Sequence, residues 1–151
     1  MFLHLTKFLA RSAALLGLLS VLAATSGCGR YTRTKQCRAL IAQINPALDD
    51  VLSVTHGDAG TANSGSYVAA AGRYERLAKQ LGPMEFGSEE MAQYVAEYAG
   101  ILTSTAQNLR AVAAALDASN PSEAERLNRE LERLTAHERS VVGRMDAWCQ
   151  P

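Results

Sequence analysis

The sequence predicts an all-α protein, an antiparallel up-down-up-down four-helix bundle with its terminal helices joined by a disulfide. Only 4 of the 151 residues are proline, and β-branched residues never form an alternating run. Apolar residues instead recur at steps of three and four, the spacing of a buried helical stripe. Basic and acidic residues balance at 15 each, which excludes the basic surface of a nucleic-acid binder.

The first 24 residues predict an export signal. Residues 1–11 contain Lys7 and Arg11 and no acid, and residues 12–24 are apolar or small. A positive segment followed by a short apolar run is typical of a secretory signal, and this run is too short to span a membrane. We therefore expect the segment to be removed from the mature protein.

The next residues, 22–28, read LAATSGC. Ser26, Gly27 and Cys28 resemble the bacterial lipobox, in which two small residues precede a lipidated cysteine, although Thr25 stands where that pattern prefers an aliphatic residue. The resemblance implies that residues 1–27 are removed and that residues 28–33 form a lipidated tether. The alternative is ordinary cleavage after Ser26, which would leave a soluble periplasmic or secreted protein.

The lipobox resemblance also implies a location. A lipid on Cys28 would be the membrane partner, and Gly29 in second place implies the outer membrane, facing the periplasm. Four basic residues follow within nine positions: Arg30, Arg33, Lys35 and Arg38. They predict a basic membrane-proximal end, where each adds up to about 1 kcal/mol of attraction to anionic head groups, or else a solvated tether and first helical turn.

The helical domain is predicted to cover residues 34–151, and its first helix begins at Thr34. The expected inner stripe of this helix is Cys37, Ile41, Ile44, Leu48 and Val51. Pro46 predicts either a kink or a restart capped by Asn45. Residues 56–66 are rich in glycine, serine and threonine and predict a flexible connection.

The three later helices have recognisable caps. Ser66 and Ser88 are the expected N-caps of helices two and three, and Asn120, Pro121 and Glu123 fit the cap, first position and capping-box acid of helix four. The predicted inner stripe of helix two is Tyr67, Ala71, Tyr74, Ala78 and Leu81. That of helix three is Val95, Tyr98, Leu102, Thr105, Leu109, Val112 and Leu116. That of helix four is Ala124, Leu127, Leu131, Leu134, Glu138, Val141, Met145 and Trp148, with Glu138 the one charged member.

The cysteines predict a structural disulfide. A lipidated Cys28 would leave Cys37 and Cys149 as the remaining pair among three cysteines. In an up-down-up-down bundle the start of helix one and the end of helix four lie at the same end, which brings these two cysteines together. We therefore expect them to be bonded in an oxidising compartment.

No spacing in the chain indicates catalysis. There is no Cys-x-x-Cys pair, no Glu-x-x-His pair on two helices and no recognisable nucleophile with a neighbouring base. The turns that contain Asp58 and Asp117 are predicted to face away from the membrane and are called the distal turns. Acidic residues and one histidine gather near them, but without metal-ligand spacing: Asp49, Asp50, His56, Asp58, Asp117 and Glu123. We therefore expect no enzyme, no cofactor and no metal.

Two sets of residues are candidates for function. Four tyrosines on helices two and three are candidates for a ligand pocket, with packing at the core edge as the alternative: Tyr67, Tyr74, Tyr94 and Tyr98. Four small residues form a second stripe on helix four, which would accept a neighbouring helix of the bundle or a partner chain: Ala136, Ser140, Gly143 and Ala147.

As a whole, the chain resembles the small helical lipoproteins of Gram-negative bacteria. The resemblance implies an accessory or scaffold role at the cell envelope. The function we expect is that of a membrane-anchored, non-catalytic interaction or scaffold module with an envelope protein as its partner. The alternative is a small-ligand or metal-binding bundle that uses the tyrosines or the distal acidic turns.

Overall fold

A computed structural model describes residues 31–54 and 63–150. The predicted signal, the Cys28 lipidation site and the connection that contains His56 lie outside these residues. The chain divides into two units, Met1–Lys35 and Gln36–Pro151. Within the described part of the first unit, residues 31–35 are helical, and the second unit holds the bundle. No helix in the described ranges is long and apolar enough to cross a membrane.

The described residues form four α-helices. Helix α1 covers residues 31–54, α2 is Ser64–Leu81, α3 is Glu89–Asp117 and α4 is Pro121–Cys149. The helices pack in the order of the chain, α1 on α2, α2 on α3 and α3 on α4. The predicted antiparallel four-helix bundle is therefore confirmed.

A disulfide closes the bundle, as the sequence predicts. Cys37 on α1 is bonded to Cys149 at the end of α4, with their Cα atoms 5.9 Å apart and a separation of 112 positions in sequence. The bond joins the first helix to the last. The predicted pairing of these two cysteines is confirmed.

Helix α1 excludes one of the two alternatives predicted for Pro46 and differs from the prediction in its inner stripe. It is continuous across Pro46, so Asn45 does not begin a second helix. Its inner stripe includes Leu40, which is 3% exposed, whereas the predicted Ile41 is 52% exposed. Steps of three and four beginning at Cys37 fit either residue equally well, and the packing of α1 on the rest of the bundle selects Leu40.

The cap of α2 also differs from its prediction. Asn63, not Ser66, is the N-cap, and its side-chain oxygen accepts a hydrogen bond from the Ser66 amide at 3.0 Å. The helix therefore begins at Ser64, within the segment predicted as a loop. Asparagine is at least as favourable an N-cap as serine, so the earlier residue takes the position.

The caps of α3 and α4 match the prediction, except for one contact. Ser88 accepts from the Met91 amide, and Asn120 accepts from the Glu123 amide at 3.2 Å. The amide of Asn120 donates to the Ala115 carbonyl at 2.9 Å, which completes a Schellman motif at the end of α3. Because that amide is occupied, Glu123 does not close the capping box and pairs with Arg126 instead.

The core is uneven along the bundle. At the end that carries the disulfide, hereafter the disulfide end, one large cluster joins all four helices: Leu40, Leu77, Leu81, Met91, Val95, Tyr98, Ile101, Leu102, Val141 and Met145. Towards the α3–α4 turn, hereafter the turn end, two smaller clusters follow: Val51, Ala70, Ala71, Ala106 and Leu109, then Val112, Ala115, Ala124 and Leu127. In the last turn of α3 the predicted Leu116 is 41% exposed, and Ala115 takes the buried position.

Candidate functional site

Two of the four candidate tyrosines meet the charged member of the α4 stripe. Tyr98 is 1% exposed, and its hydroxyl donates to Glu138 Oε1 at 3.3 Å. Tyr74 is half-buried, and burial followed by the nearby charge of Glu138 raises its pKa. Burial and the same carboxylate raise the pKa of Tyr98. Tyr98 and Glu138 therefore form a polar pair between α3 and α4, and Tyr74 of α2 lies near enough to feel the charge of Glu138.

Glu138 is held there in an unfavourable environment for a charge. Burial raises the pKa of Glu138, while the hydrogen bond from Tyr98 and the charge of Arg139 lower it. Burial is the largest of these effects, so the net pKa lies above the ordinary value. The sequence identified Glu138 as the polar member of the stripe, but it contained no signal for its partner.

The other two candidate tyrosines lie elsewhere. Tyr67 packs against both clusters of the turn end. The Tyr94 hydroxyl donates to Glu90 Oε1 at 2.7 Å, and the guanidinium of Arg144 lies 4.9 Å from the centre of its ring. Neither of the two cavities described below is lined by a tyrosine. The four tyrosines therefore line neither of these two cavities.

An exposed ionic contact links α3 to α4. Glu97 lies 2.8 Å from His137 Nε2 and accepts from Arg144 Nη2 at 2.7 Å. These two hydrogen bonds, that of His137 first, lower the pKa of Glu97. His137, the single histidine of the described ranges, is therefore engaged with a carboxylate on the surface. No group of three or more His, Cys, Asp or Glu side chains in the described ranges is arranged to hold a metal ion.

The small-residue stripe of α4 faces outward. All four of its members are exposed, and a Cβ atom added at Gly143 would meet no atom within 4 Å. The expectation that a neighbouring helix of the bundle packs on this stripe is therefore wrong for the helices described. The partner chain remains a prediction. The stripe consists of Ala136, Ser140, Gly143 and Ala147.

The disulfide end carries mixed charge, where the sequence predicted a basic end. The α2–α3 connection lies at this end, because Gly87 is close to the Gln36 side chain of α1. A Cβ atom built onto Gly87 would lie 3.5 Å from Gln36 Nε2. Within the second unit, exposed Glu85 and Glu89 therefore share the end with exposed Arg38 of α1. The prediction of a basic end rested on the charges near the start of the first helix and not on those of the α2–α3 connection.

Two of the surface cavities lined by described residues were not predicted from the sequence. One, of about 330 Å³, lies between α1 and α2 and includes Asp50, Arg73 and Arg76 in its lining. The other, of about 540 Å³, runs along α4 and includes Asn128 and Arg139. Only the first brings charged groups of two helices together, because Asp50 belongs to α1 and both arginines belong to α2.

Comparisons of the chain with protein-family models, with curated proteins and with solved structures found no match.

Proposed function

We propose that the protein is a lipid-anchored protein of the cell envelope that acts as a rigid, non-catalytic interaction module. The observation that supports this most is the disulfide between Cys37 and Cys149. Structural disulfides belong to exported proteins, and this one uses two of the three cysteines. The third, Cys28, is the cysteine of the lipobox-like segment, so its thiol is left for the lipid.

The proposed contact surface is the exposed stripe of small residues on α4. Small side chains allow a second helix to approach closely, because the distance between packed helices depends on the side chains at the contact. The stripe extends from Ala136 to Ala147, and Val142 beside it is an exposed apolar residue. The proposed partner is another envelope protein that presents a helix to this face.

The alternative function, a small-ligand bundle built on the tyrosines, has weaker support. The Tyr98 hydroxyl is buried and already donates to Glu138, and the Tyr94 hydroxyl already donates to Glu90. A ligand would have to replace these hydrogen bonds before it gained any of its own. The tyrosines are better accounted for as packing residues.

The anchor is tested by the intact, non-reduced mass of the protein purified from its own membrane fraction. We expect a chain that begins at Cys28, carries acyl groups and lacks two hydrogen atoms because of the disulfide. An unlipidated chain that begins at Gly27 would contradict the anchor and indicate a soluble periplasmic or secreted protein.

The contact surface is tested by photo-crosslinking in intact cells. A benzophenone side chain at Gly143 is expected to give a discrete adduct, and Ser140→Arg on the same face is expected to abolish it. The matched control is Gln107→Arg, an exposed change on α3 that should leave the adduct unchanged. An adduct that survives Ser140→Arg would exclude the small-residue stripe as the contact surface.

A further inference from the structure

We propose that the groove between α1 and α2 binds a small monocarboxylate, with its carboxylate at Arg73 and Arg76 and its apolar body against the wall of the groove. This site goes beyond the proposed interaction function and does not depend on it. It uses none of the tyrosines and none of the small-residue stripe on α4.

The groove has the size and the wall of a small-molecule site. Its volume of about 330 Å³ lies at the lower end of the range for ligand pockets, roughly 300–1,000 Å³. Such pockets combine an apolar lining with a few placed polar groups. The apolar part of this lining is Ala42, Pro46, Ala47 and Leu77.

The groove contains more positively charged side chains than negatively charged ones. Arg73 Nε lies 3.0 Å and Arg76 Nη2 lies 3.6 Å from the same oxygen, Oδ2 of Asp50. Two guanidinium groups therefore share one carboxylate, and the described lining of the groove carries one positive charge in excess. Four other arginines of the described surface each have their own glutamate in the contacts seen: Arg110 with Glu75, Arg126 with Glu123, Arg129 with Glu125 and Arg133 with Glu130.

Arg73 of the groove also has a buried donor without an acceptor. Arg73 Nε is shielded from solvent and lies within ion-pair distance of Asp50, but its N–H does not point at the carboxylate and forms no hydrogen bond with any residue that the structure describes. A buried donor without an acceptor is unfavourable, so a ligand oxygen that gains access to this N–H would remove that penalty. The hydrogen bond seen for this side chain is a long one, from Nη1 to the Ala69 carbonyl at 3.4 Å.

These features favour a ligand that has one carboxylate group and is otherwise apolar. The planar guanidinium group presents paired donors that match the two oxygens of a carboxylate. A single negative charge on the ligand balances the single excess positive charge. The apolar wall would cover a short hydrocarbon or an aromatic ring. Asp50 acts as an internal competitor, because it already occupies part of the same donor set.

The direct test is a titration of the purified full protein, with its disulfide intact, with sodium benzoate. The readout is the side-chain Nε–Hε signal of Arg73 in nitrogen-15 NMR spectra. We expect a saturable shift of this signal with benzoate and binding of neutral benzamide at least about tenfold weaker, because the amide lacks the charge that the two arginines recognise. Equal binding of benzamide, or no saturable shift with benzoate, would overturn the proposal.

Variants of the groove sharpen the test. Asp50→Asn should tighten benzoate binding by about tenfold, since it removes the internal competitor, and Arg76→Gln should weaken it by a similar factor. Arg126→Gln is the matched control, because Arg126 pairs with Glu123 on α4 and not in the groove. The proposal is wrong if Asp50→Asn leaves the affinity unchanged or if inorganic phosphate binds as tightly as benzoate. Neither result bears on the anchor or the α4 contact surface, which have their own tests.

Discussion

The two ends of the bundle follow the same helical periodicity but bury different side chains. The disulfide end packs leucine, methionine, isoleucine and Tyr98 from four helices into one cluster. The turn end is divided into two clusters in which alanine is frequent. Apolar area removed from water determines hydrophobic stabilisation, about 25 cal/mol per Å², so alanine contributes far less than leucine. Equal periodicity therefore does not imply equal stability.

A buried polar atom adds to this difference. Asn108 of α3 is 8% exposed, and its Oδ1 has no hydrogen-bond partner among the described residues. Local opening begins where few apolar contacts resist it. We therefore expect the turn end to open first and the disulfide end, which leads towards the proposed anchor, to persist.

Removal of the disulfide should have the largest effect and should reduce the difference between the two ends. Replacing both Cys37 and Cys149 by alanine releases a loop closed across 112 positions, and the chain-entropy estimate for such a loop is roughly 5 kcal/mol. The measurement is urea unfolding of the oxidised protein and the double variant. The reduced wild-type protein is the control and should match the variant. An unchanged midpoint would show that the bond contributes nothing to stability.

Truncation of one buried leucine at each end should have the next largest effect on stability. Leu102→Ala in the large cluster should cost about 3–5 kcal/mol, and Leu127→Ala at the turn end about 2–3 kcal/mol. The difference is expected because the neighbours of Leu127 include two alanines and can close on a smaller void. Urea unfolding of both variants measures it. Equal losses would mean that the two ends pack equally well.

Sequence reasoning predicted the features that depend on local chemistry or on topology. Ser88 and Asn120 are recognisable caps because their side chains bind amides three residues away. The disulfide followed from the order of the helices and the count of cysteines. In α1, by contrast, Leu40 and Ile41 fit the same spacing, and only the packing of the other helices distinguishes them.

The candidate sites were less predictable, since their residues are distant in sequence. Asp50 meets Arg73 and Arg76 only after α1 has packed on α2, and Tyr98 meets Glu138 only after α3 has packed on α4. Contacts of this kind have no characteristic spacing along the chain. The sequence therefore showed one charged residue on an inner stripe, but neither its partner nor the groove.

Removal of one tyrosine hydroxyl at each end should have a smaller effect on stability and tests the same difference between the two ends. Tyr98→Phe removes the donor to half-buried Glu138 and should cost about 1–3 kcal/mol at neutral pH, because an acceptor between the helices is left unsatisfied. Tyr67→Phe at the turn end is the matched control and should have almost no effect, because no hydrogen bond of its hydroxyl is seen in the described ranges. Urea unfolding measures both. An equal loss in the two variants would contradict the role of Tyr98.

The smallest expected effect is a dependence of stability on pH with opposite signs at two glutamates of the α3–α4 contact. Burial raises the pKa of Glu138 above its ordinary value of 4.5, so the folded state binds the proton more tightly than the unfolded chain does. Hydrogen bonds from His137 and Arg144 lower the pKa of exposed Glu97, so the folded state binds that proton less tightly.

The sign of each contribution follows from linkage between proton binding and folding. The contribution of Glu138 is most favourable below the ordinary pKa and is lost as the pH rises through the raised one. The contribution of Glu97 is present above the ordinary pKa and is lost as the pH falls through the lowered one. Urea unfolding of the wild type, Glu138→Gln and Glu97→Gln across the acidic pH range measures both contributions.

As the pH rises, the wild type should lose stability relative to Glu138→Gln and gain it relative to Glu97→Gln. Two slopes of the same sign would mean that Glu138 is solvated like a surface residue and does not belong to the core of the disulfide end.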